Sequence, residues 1–190
     1  MNDRRSEVST LKASHEECQA APDVNELGWA ALSSDLGQVK VFWSDAGLLR
    51  VCLPGDASRA SGFSRAREAP LPAAWGRVLS DGLRALASGS PADFRGVPLD
   101  LGALTPFQRE VLSACAEIPW GEVVSYGELA KRTGRKVSAS RAVGKALSLN
   151  PVPLVVPCHR VLSASGKLTG FSAPGGVDTK RQLLTLEGAL

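Results

Sequence analysis

The sequence predicts an α/β chain of the α+β kind: a small N-terminal α/β domain with an antiparallel sheet, then a mostly helical C-terminal domain. Three observations predict it. Short apolar runs separated by Gly-containing turns occupy residues 26–53, apolar residues recur at helical spacing from residue 72, and capping residues punctuate residues 105–150. At 190 residues there is material for one medium domain or two small ones. The pattern divides into a polar, mobile tail over 1–25, the α/β domain over 26–100 and the C-terminal domain over 101–190.

Residues 29–32, 38–43 and 48–53 read as strands, joined by hairpin turns at Asp35-Leu36-Gly37 and Asp45-Ala46-Gly47. Cys52 is a core residue of the third. Residues 54–70, rich in Gly, Ser, Pro and Arg, read as irregular. Pro72 suits a first helical turn, and Trp75, Val78, Leu79, Leu83 and Leu86 mark a helix ending near Gly89. After a linker, Thr105-Pro106 reads as an N-cap and first position. Phe107, Val111, Cys115 and Ile118 share a face of that helix, which Pro119 stops. Ser125 and Glu128 form a capping-box signature for a short helix to about Arg132, closed by Gly134. Ser138 reads as the cap of the next helix, with Ala142, Val143, Ala146 and Leu147 inward, Arg141 and Lys145 outward, and Asn150-Pro151 at its end. Helix, tight turn, helix with cations outward fits a helix-turn-helix; a helical hairpin with no DNA role fits it too. Residues 177–187 form a last helix closed by Gly188, with Leu183, Leu184 and Leu186 inward.

Net charge is only +3, but residues 102–190 carry 11 Lys and Arg against 6 Asp and Glu. Lys131, Arg132, Arg135, Lys136, Arg141 and Lys145 lie together with no acid between them. A patch this local points to a polyanion partner, although a solvated helical face has the same look. No apolar run is long enough for a membrane span, and the first residues lack a signal-peptide apolar region. Four scattered cysteines without CxxC spacing, and only two histidines, do not support a metal site; His15 and Cys18 could be half of one, but no second pair follows. Free thiols suit a reducing, cytoplasmic compartment.

The chemistry concentrates in Pro157-Cys158-His159-Arg160-Val161, reached through the apolar run Asn150-Pro151-Val152-Pro153-Leu154-Val155-Val156. Thiolate attacks and thiol does not, and at a free pKa of about 8.5 little thiolate exists near neutrality without help. An isolated pair of this kind is equally a buried cysteine beside a histidine. Glu187, where the helix dipole mildly disfavours a carboxylate, is either solvated or held to orient a histidine. Tyr126 is the sole tyrosine.

Together with Pro119-Trp120-Gly121-Glu122-Val123-Val124-Ser125-Tyr126, Arg141-Ala142-Val143-Gly144, Asn150-Pro151, Gly170-Phe171 and Leu186-Glu187-Gly188, this motif resembles the O6-alkylguanine-DNA alkyltransferases, the methylated-DNA–protein-cysteine methyltransferases. The resemblance is dense over residues 105–188 and implies a winged-helix-like helix-turn-helix. It implies repair of O6-alkylguanine, with O4-alkylthymine as a further substrate, by irreversible, single-turnover transfer of the alkyl group to Cys158. His159 would take the thiol proton through a water, Glu187 would orient the imidazole, and Tyr126 would protonate guanine N3. The carbonyls of Cys158 and Val161 would accept from the exocyclic amine. Ser172 would contact O6, with Phe171 beside it in the pocket. The base must be flipped from the duplex. Arg141 would fill the vacated stack while its helix lies in the minor groove, with Ala139, Ser140, Ala142 and Gly144 small enough for close approach and Lys145 on the same helix. Asn150 would be a hinge tying the helix-turn-helix to the cysteine strand. No cofactor or metal is implied. The partner is double-stranded DNA, bound by a monomer that can cluster along it, in the cytoplasm or on a bacterial nucleoid.

Two features depart from the family pattern. The turn over 134–138 is a residue longer, and the pocket loop over 172–176 about two residues longer. Three rival readings are a lesion-flagging relative, which would lack the cysteine; a cysteine hydrolase, which leaves Arg141 unexplained; and a transcription regulator, which leaves Cys158, His159 and Glu187 unexplained.

Overall fold

The computed structural model describes residues 23, 26–34 and 36–190. The expected tail over 1–25, residue 23 aside, with its His15 and Cys18, and Asp35 of the first turn lie outside the described residues. Strands β1 (Gly28–Ser34), β2 (Gly37–Ser44) and β3 (Gly47–Cys52) form an antiparallel ladder, with Trp29 opposite Phe42 and Val41 opposite Val51. Val39, Val41 and Trp43 are buried while Gln38 and Lys40 are exposed, the period of a half-buried strand. The turn into β3 needs glycine: Gly47 has φ +143°, and a side chain there would collide with the backbone of Pro98.

Residues 54–70 are not irregular throughout. They hold the one-turn helix α1 (Ala57–Ala60), a 3-10 turn over Ser61–Phe63 and the two-residue strand β4 (Arg67–Glu68). β4 adds to the edge of the sheet parallel to β1, giving the order β3-β2-β1-β4, so the sheet is antiparallel except at that edge. Helix α2 (Gly76–Ala87) begins later than Pro72, because the Pro72 carbonyl first accepts from the amides of Trp75 and Gly76 in a turn of its own. Its Leu79, Leu83 and Leu86 pack beneath the sheet.

In the second half, α3 (Pro106–Ala116) and α4 (Tyr126–Arg132) both start in complete capping boxes, Thr105 with Gln108 and Ser125 with Glu128. Helix α5 (Ser140–Ser148) does not start at a Ser138 cap. Ser138 lies inside a 3-10 turn, Val137–Ala139, and the extended residue before that turn is Lys136. The cysteine segment is not a strand either. Pro151, Pro153 and Pro157 have no N–H to give a ladder. The run instead folds through turns, with Leu154 at φ +73° and the Val156 amide on the Val152 carbonyl at 2.9 Å. A 3-10 turn over Cys158–Arg160 follows, then β6 (Val161–Leu162), which pairs in parallel with β5 (Val124–Ser125). Helix α6 (Gly176–Leu186) buries Leu183 and Leu184, whereas Leu186 is only half-buried. One core runs from the sheet and α2 through Val111, Leu112, Cys115 and Ile118 to the buried run at 152–156.

No described helix is long and apolar enough to cross a membrane. Replacing the exposed cap residue in Thr105→Ala should cost about 1 kcal/mol, read as a lower urea midpoint with an unchanged slope. An unmoved midpoint would mean that this capping box carries no stability.

Candidate active site and nucleic-acid interface

Cys158 is nearly buried, and its side chain forms part of a cavity of about 260 Å³. Tyr126 of α4, Gly144 and Leu147 of α5, and Phe171 and Ser172 of the following loop line the rest. Gly144 keeps the space open: a Cβ there would stand 3.6 Å from the Tyr126 ring. Burial pushes the Cys158 thiol up, against a hydrogen bond from Asn150 and the charge of Lys180, which favour thiolate.

Asn150 follows α5 and is buried. Its Nδ2 donates to the Val156 carbonyl at 2.9 Å and to Cys158 Sγ at 3.3 Å, while its Oδ1 accepts from the Val152 amide at 3.0 Å. The hinge expected at this position is therefore a set of three bonds that closes the proline-rich loop onto the thiol.

His159 is fully buried. Its Nε2 donates to Glu187 Oε1 at 2.7 Å, and its Nδ1 is buried without a hydrogen-bond partner. Glu187 is not solvated. Arg160 grips it through Nε at 2.8 Å and Nη2 at 3.0 Å, and donates from Nη1 to the Ile118 carbonyl at 2.6 Å. Burial raises the Glu187 carboxyl, but the hydrogen bonds from His159 and Arg160 outweigh it and hold it below the ordinary carboxylate value. Burial lowers His159, with the Glu187 hydrogen bond acting against it, so the imidazole favours the neutral state.

On the helix-turn-helix, Arg141 and Lys145 are exposed as expected; Ala142, expected inward, is exposed beside Arg141 because the buried face is made by Val143, Ala146 and Leu147, and Ser140 and Gly144 are half-buried. Lys131, Arg132 and Lys136 are exposed beside them, and Arg135 is tied to Glu110 at 2.6 Å. Val161 is the sequence-derived pocket residue that the structure does not bring to the cavity by its side chain. It is fully buried, and its carbonyl accepts from Lys180 Nζ at 2.6 Å. No cluster of three or more metal-ligating side chains occurs among the described residues.

A family model described as 6-O-methylguanine DNA methyltransferase, DNA binding domain, matches residues 106–189. A methylated-DNA–protein-cysteine methyltransferase of Mycobacterium tuberculosis is 47% identical over 124 residues, which is 65% of this chain and 72% of the relative. The chain belongs to this family. A member from Methanothermobacter thermautotrophicus is 36% identical over 157 residues, 83% of each chain. The crystal structure of Mycobacterium tuberculosis OGT in complex with DNA superposes with a TM-score of 0.71 at 36% identity, covering 85% of this chain and 93% of that one. The mixed α/β fold with a helical C-terminal region is thus that of the family's solved members.

The sequence reasoning missed two residues near the family's cysteine. Arg160 stands inside the motif but had no role; it is the second clamp on Glu187. Lys180 is fully buried, donates to the Val161 and Thr169 carbonyls, and lies 5.9 Å from the centre of the Tyr126 ring. The signal was available: Lys180 falls three and four residues before Leu183 and Leu184, on the apolar face.

Removing the charge in Glu187→Gln should cost about 3–5 kcal/mol at neutral pH, because Arg160 stays buried without its carboxylate. Both His159 and Glu187 are shifted down, so the unfolded chain binds more protons and stability rises with pH through their window. Their contribution is complete above pH 6.5 and is lost as pH falls, first below 6.5 through His159 and then below 4.5 through Glu187. Urea titrations at several pH values should show both parts in the parent chain and lose the second in Glu187→Gln. A variant within about 1 kcal/mol of the parent would overturn the network's importance.

Proposed function

We propose that this chain repairs DNA by transferring the alkyl group from O6 of guanine to Sγ of Cys158, once per molecule. One observation carries the reading. A thiol in the wall of a cavity touches the hinge amide of Asn150, and the adjoining buried imidazole has one nitrogen engaged and the other free.

Glu187 accepts from Nε2, which keeps that proton in place and leaves the lone pair on Nδ1. Nδ1 then takes the thiol proton through one water, and the thiolate attacks the alkyl carbon. The S–C bond forms as the C–O6 bond breaks, and the electron pair goes to guanine. Tyr126 gives guanine a proton at N3 and is reprotonated at the expense of the imidazolium, so charge and protons balance. The carbonyls of Cys158 and Val161 accept from the exocyclic amine, Ser172 meets O6 and Phe171 flanks the base. The thioether has no hydrolytic exit, which makes the protein a stoichiometric, suicidal methylated-DNA–protein-cysteine S-methyltransferase. No step needs a cofactor or a metal.

The base is presented by flipping from double-stranded DNA. Helix α5 enters the minor groove, Ser140, Ala142 and Gly144 allow close approach, Lys145 meets phosphate, and Arg141 fills the gap left in the stack. The minor groove's degenerate pattern suits repair at any sequence. O4-alkylthymine is a second substrate. The working form is a monomer that can cluster along DNA, in the cytoplasm or on a bacterial nucleoid. Residues 26–100 act as a bracing unit and residues 101–190 as the unit that binds DNA and accepts the alkyl group.

Incubation with a duplex carrying one O6-methylguanine should add one methyl to the intact mass, mapped to Cys158, and restore guanine in the DNA. No mass gain under reducing, native conditions would overturn the reading. Cys158→Ala should bind the duplex and take no methyl. Arg141→Ala should slow transfer from duplex by on the order of tenfold or more while leaving transfer from the free base unchanged, since only the duplex requires flipping. Equal duplex rates would remove Arg141 from that role.

A further inference from the structure

One side chain of the N-terminal half reaches both the Asn150 hinge behind the thiol and the loop at the rim of the cavity. Arg59, in α1, donates from Nη1 to the Asn150 carbonyl at 3.1 Å and from Nη2 to the Ser172 carbonyl at 3.2 Å. Its Nε lies 3.4 Å from Oδ2 of Asp56, a nearly buried carboxylate. Asn150 is the residue whose amide touches Cys158 Sγ, and Ser172 belongs to the loop on the other side of the opening. A single guanidinium therefore joins the hinge to the lip. Neighbouring backbone supports the same contact. The Val51 amide donates to the Pro151 carbonyl at 3.0 Å, and a Cβ added to Gly55 would lie 3.6 Å from Pro174, inside the pocket loop.

We infer that Arg59 is a positioning residue for the transfer reaction, holding the Asn150 hinge and the Ser172 lip at a fixed separation so that the N-terminal half is a working part of the reaction centre. The inference rests on the function proposed above. Its physical basis is the planar fork of arginine, which spans two acceptors at once; a lysine ammonium is a point charge on a flexible stem. An in-line attack needs the reacting atoms about 3–3.5 Å apart, and small misplacements are costly. Without the fork, the lip over 172–176 is free to move away from the thiol while the hinge loses its outer support. Arg59 also acts on the thiol by charge, favouring thiolate together with Lys180 of α6. The other titratable and charged groups around Cys158 are Tyr126 of α4, which lines the same cavity, Cys115 of α3, and His159 and Arg160 with Glu187 bonded to both.

The test uses the full chain with Arg59→Lys and Arg59→Met, comparing transfer rates from an O6-methylguanine duplex and from free O6-methylguanine base, with affinity for unmodified duplex and thermal stability measured alongside. Both variants should be slower by about tenfold or more, by the same factor on duplex and free base, with duplex affinity unchanged. The rate–pH profile should move to higher pH in Arg59→Met and stay in place in Arg59→Lys, which keeps the charge. A purely structural role would not separate the two variants in this way. If Arg59→Met fails to fold, Arg59→Lys decides alone on the two rates. Unchanged rates on both substrates overturn the inference. So does a loss confined to duplex affinity with the free-base rate intact, which would make Arg59 a DNA contact. If the parent chain itself takes no methyl, the proposed function fails and this inference with it. If the parent reacts and the variants match it, only the inference fails.

Discussion

A backbone with three prolines has to cross the core, and the side chain of Asn150 makes that possible. Residues 150–162 are all buried, yet Pro151, Pro153 and Pro157 donate nothing, so no continuous helix or ladder runs through 150–157 to satisfy the carbonyls. Asn150 replaces the missing partners with one donor to Val156, one acceptor for Val152 and a contact with the Cys158 sulfur. The end of α5 and the thiol thereby become one rigid piece. The end of α5 is thus tied to the thiol by a buried amide.

The electrostatics around that piece work by opposition. Burial alone would hold Cys158 as an inert thiol, His159 neutral and Glu187 protonated. The effect is reversed only at Glu187, which His159 and Arg160 keep ionised; at Cys158 the Asn150 hydrogen bond and Lys180 favour the thiolate without overcoming burial. His159 is left neutral, the state in which a nitrogen can accept a proton. The cations are themselves satisfied by carbonyls, Arg160 on Ile118 and Lys180 on Val161 and Thr169, so none is buried without partners.

Much of this was legible because the residues concerned obey local rules. The two capping boxes and the basic second half follow from residue type and spacing, whereas the pairing of His159 with Glu187 is implied by the family resemblance alone; the structure contains all three. Errors arose where local rules compete. Ser138 has the composition of a cap, but the chain tightens into a 3-10 turn there and the extended position falls on Lys136. The run before Cys158 has the apolarity of a strand and the prolines of a turn, and the missing donors decide for the turn. Lys180 breaks the apolar face of α6 and so left a trace in the pattern. Arg59 left none: it sits in a polar, one-turn helix, and its importance depends on which carbonyls the fold brings within reach.

A protein that reacts once need not release its product, and this changes what the pocket must do. A turnover enzyme balances closing on substrate against opening for product. Here the floor can be as rigid as the core allows, and the exposed rim that begins at Ser172 need not open again for a product. The order of burial follows that division: Cys158, His159 and Asn150 lie in the core, while Ser172 and the outward residues of α5 lie at the surface. Arg59 reaches from the N-terminal half to the boundary between buried floor and exposed rim, bonding one carbonyl on each side. The two halves of the chain therefore meet at the cavity of the thiol: Asn150 fixes the sulfur against the end of α5, and Arg59 ties the rim to that fixed piece.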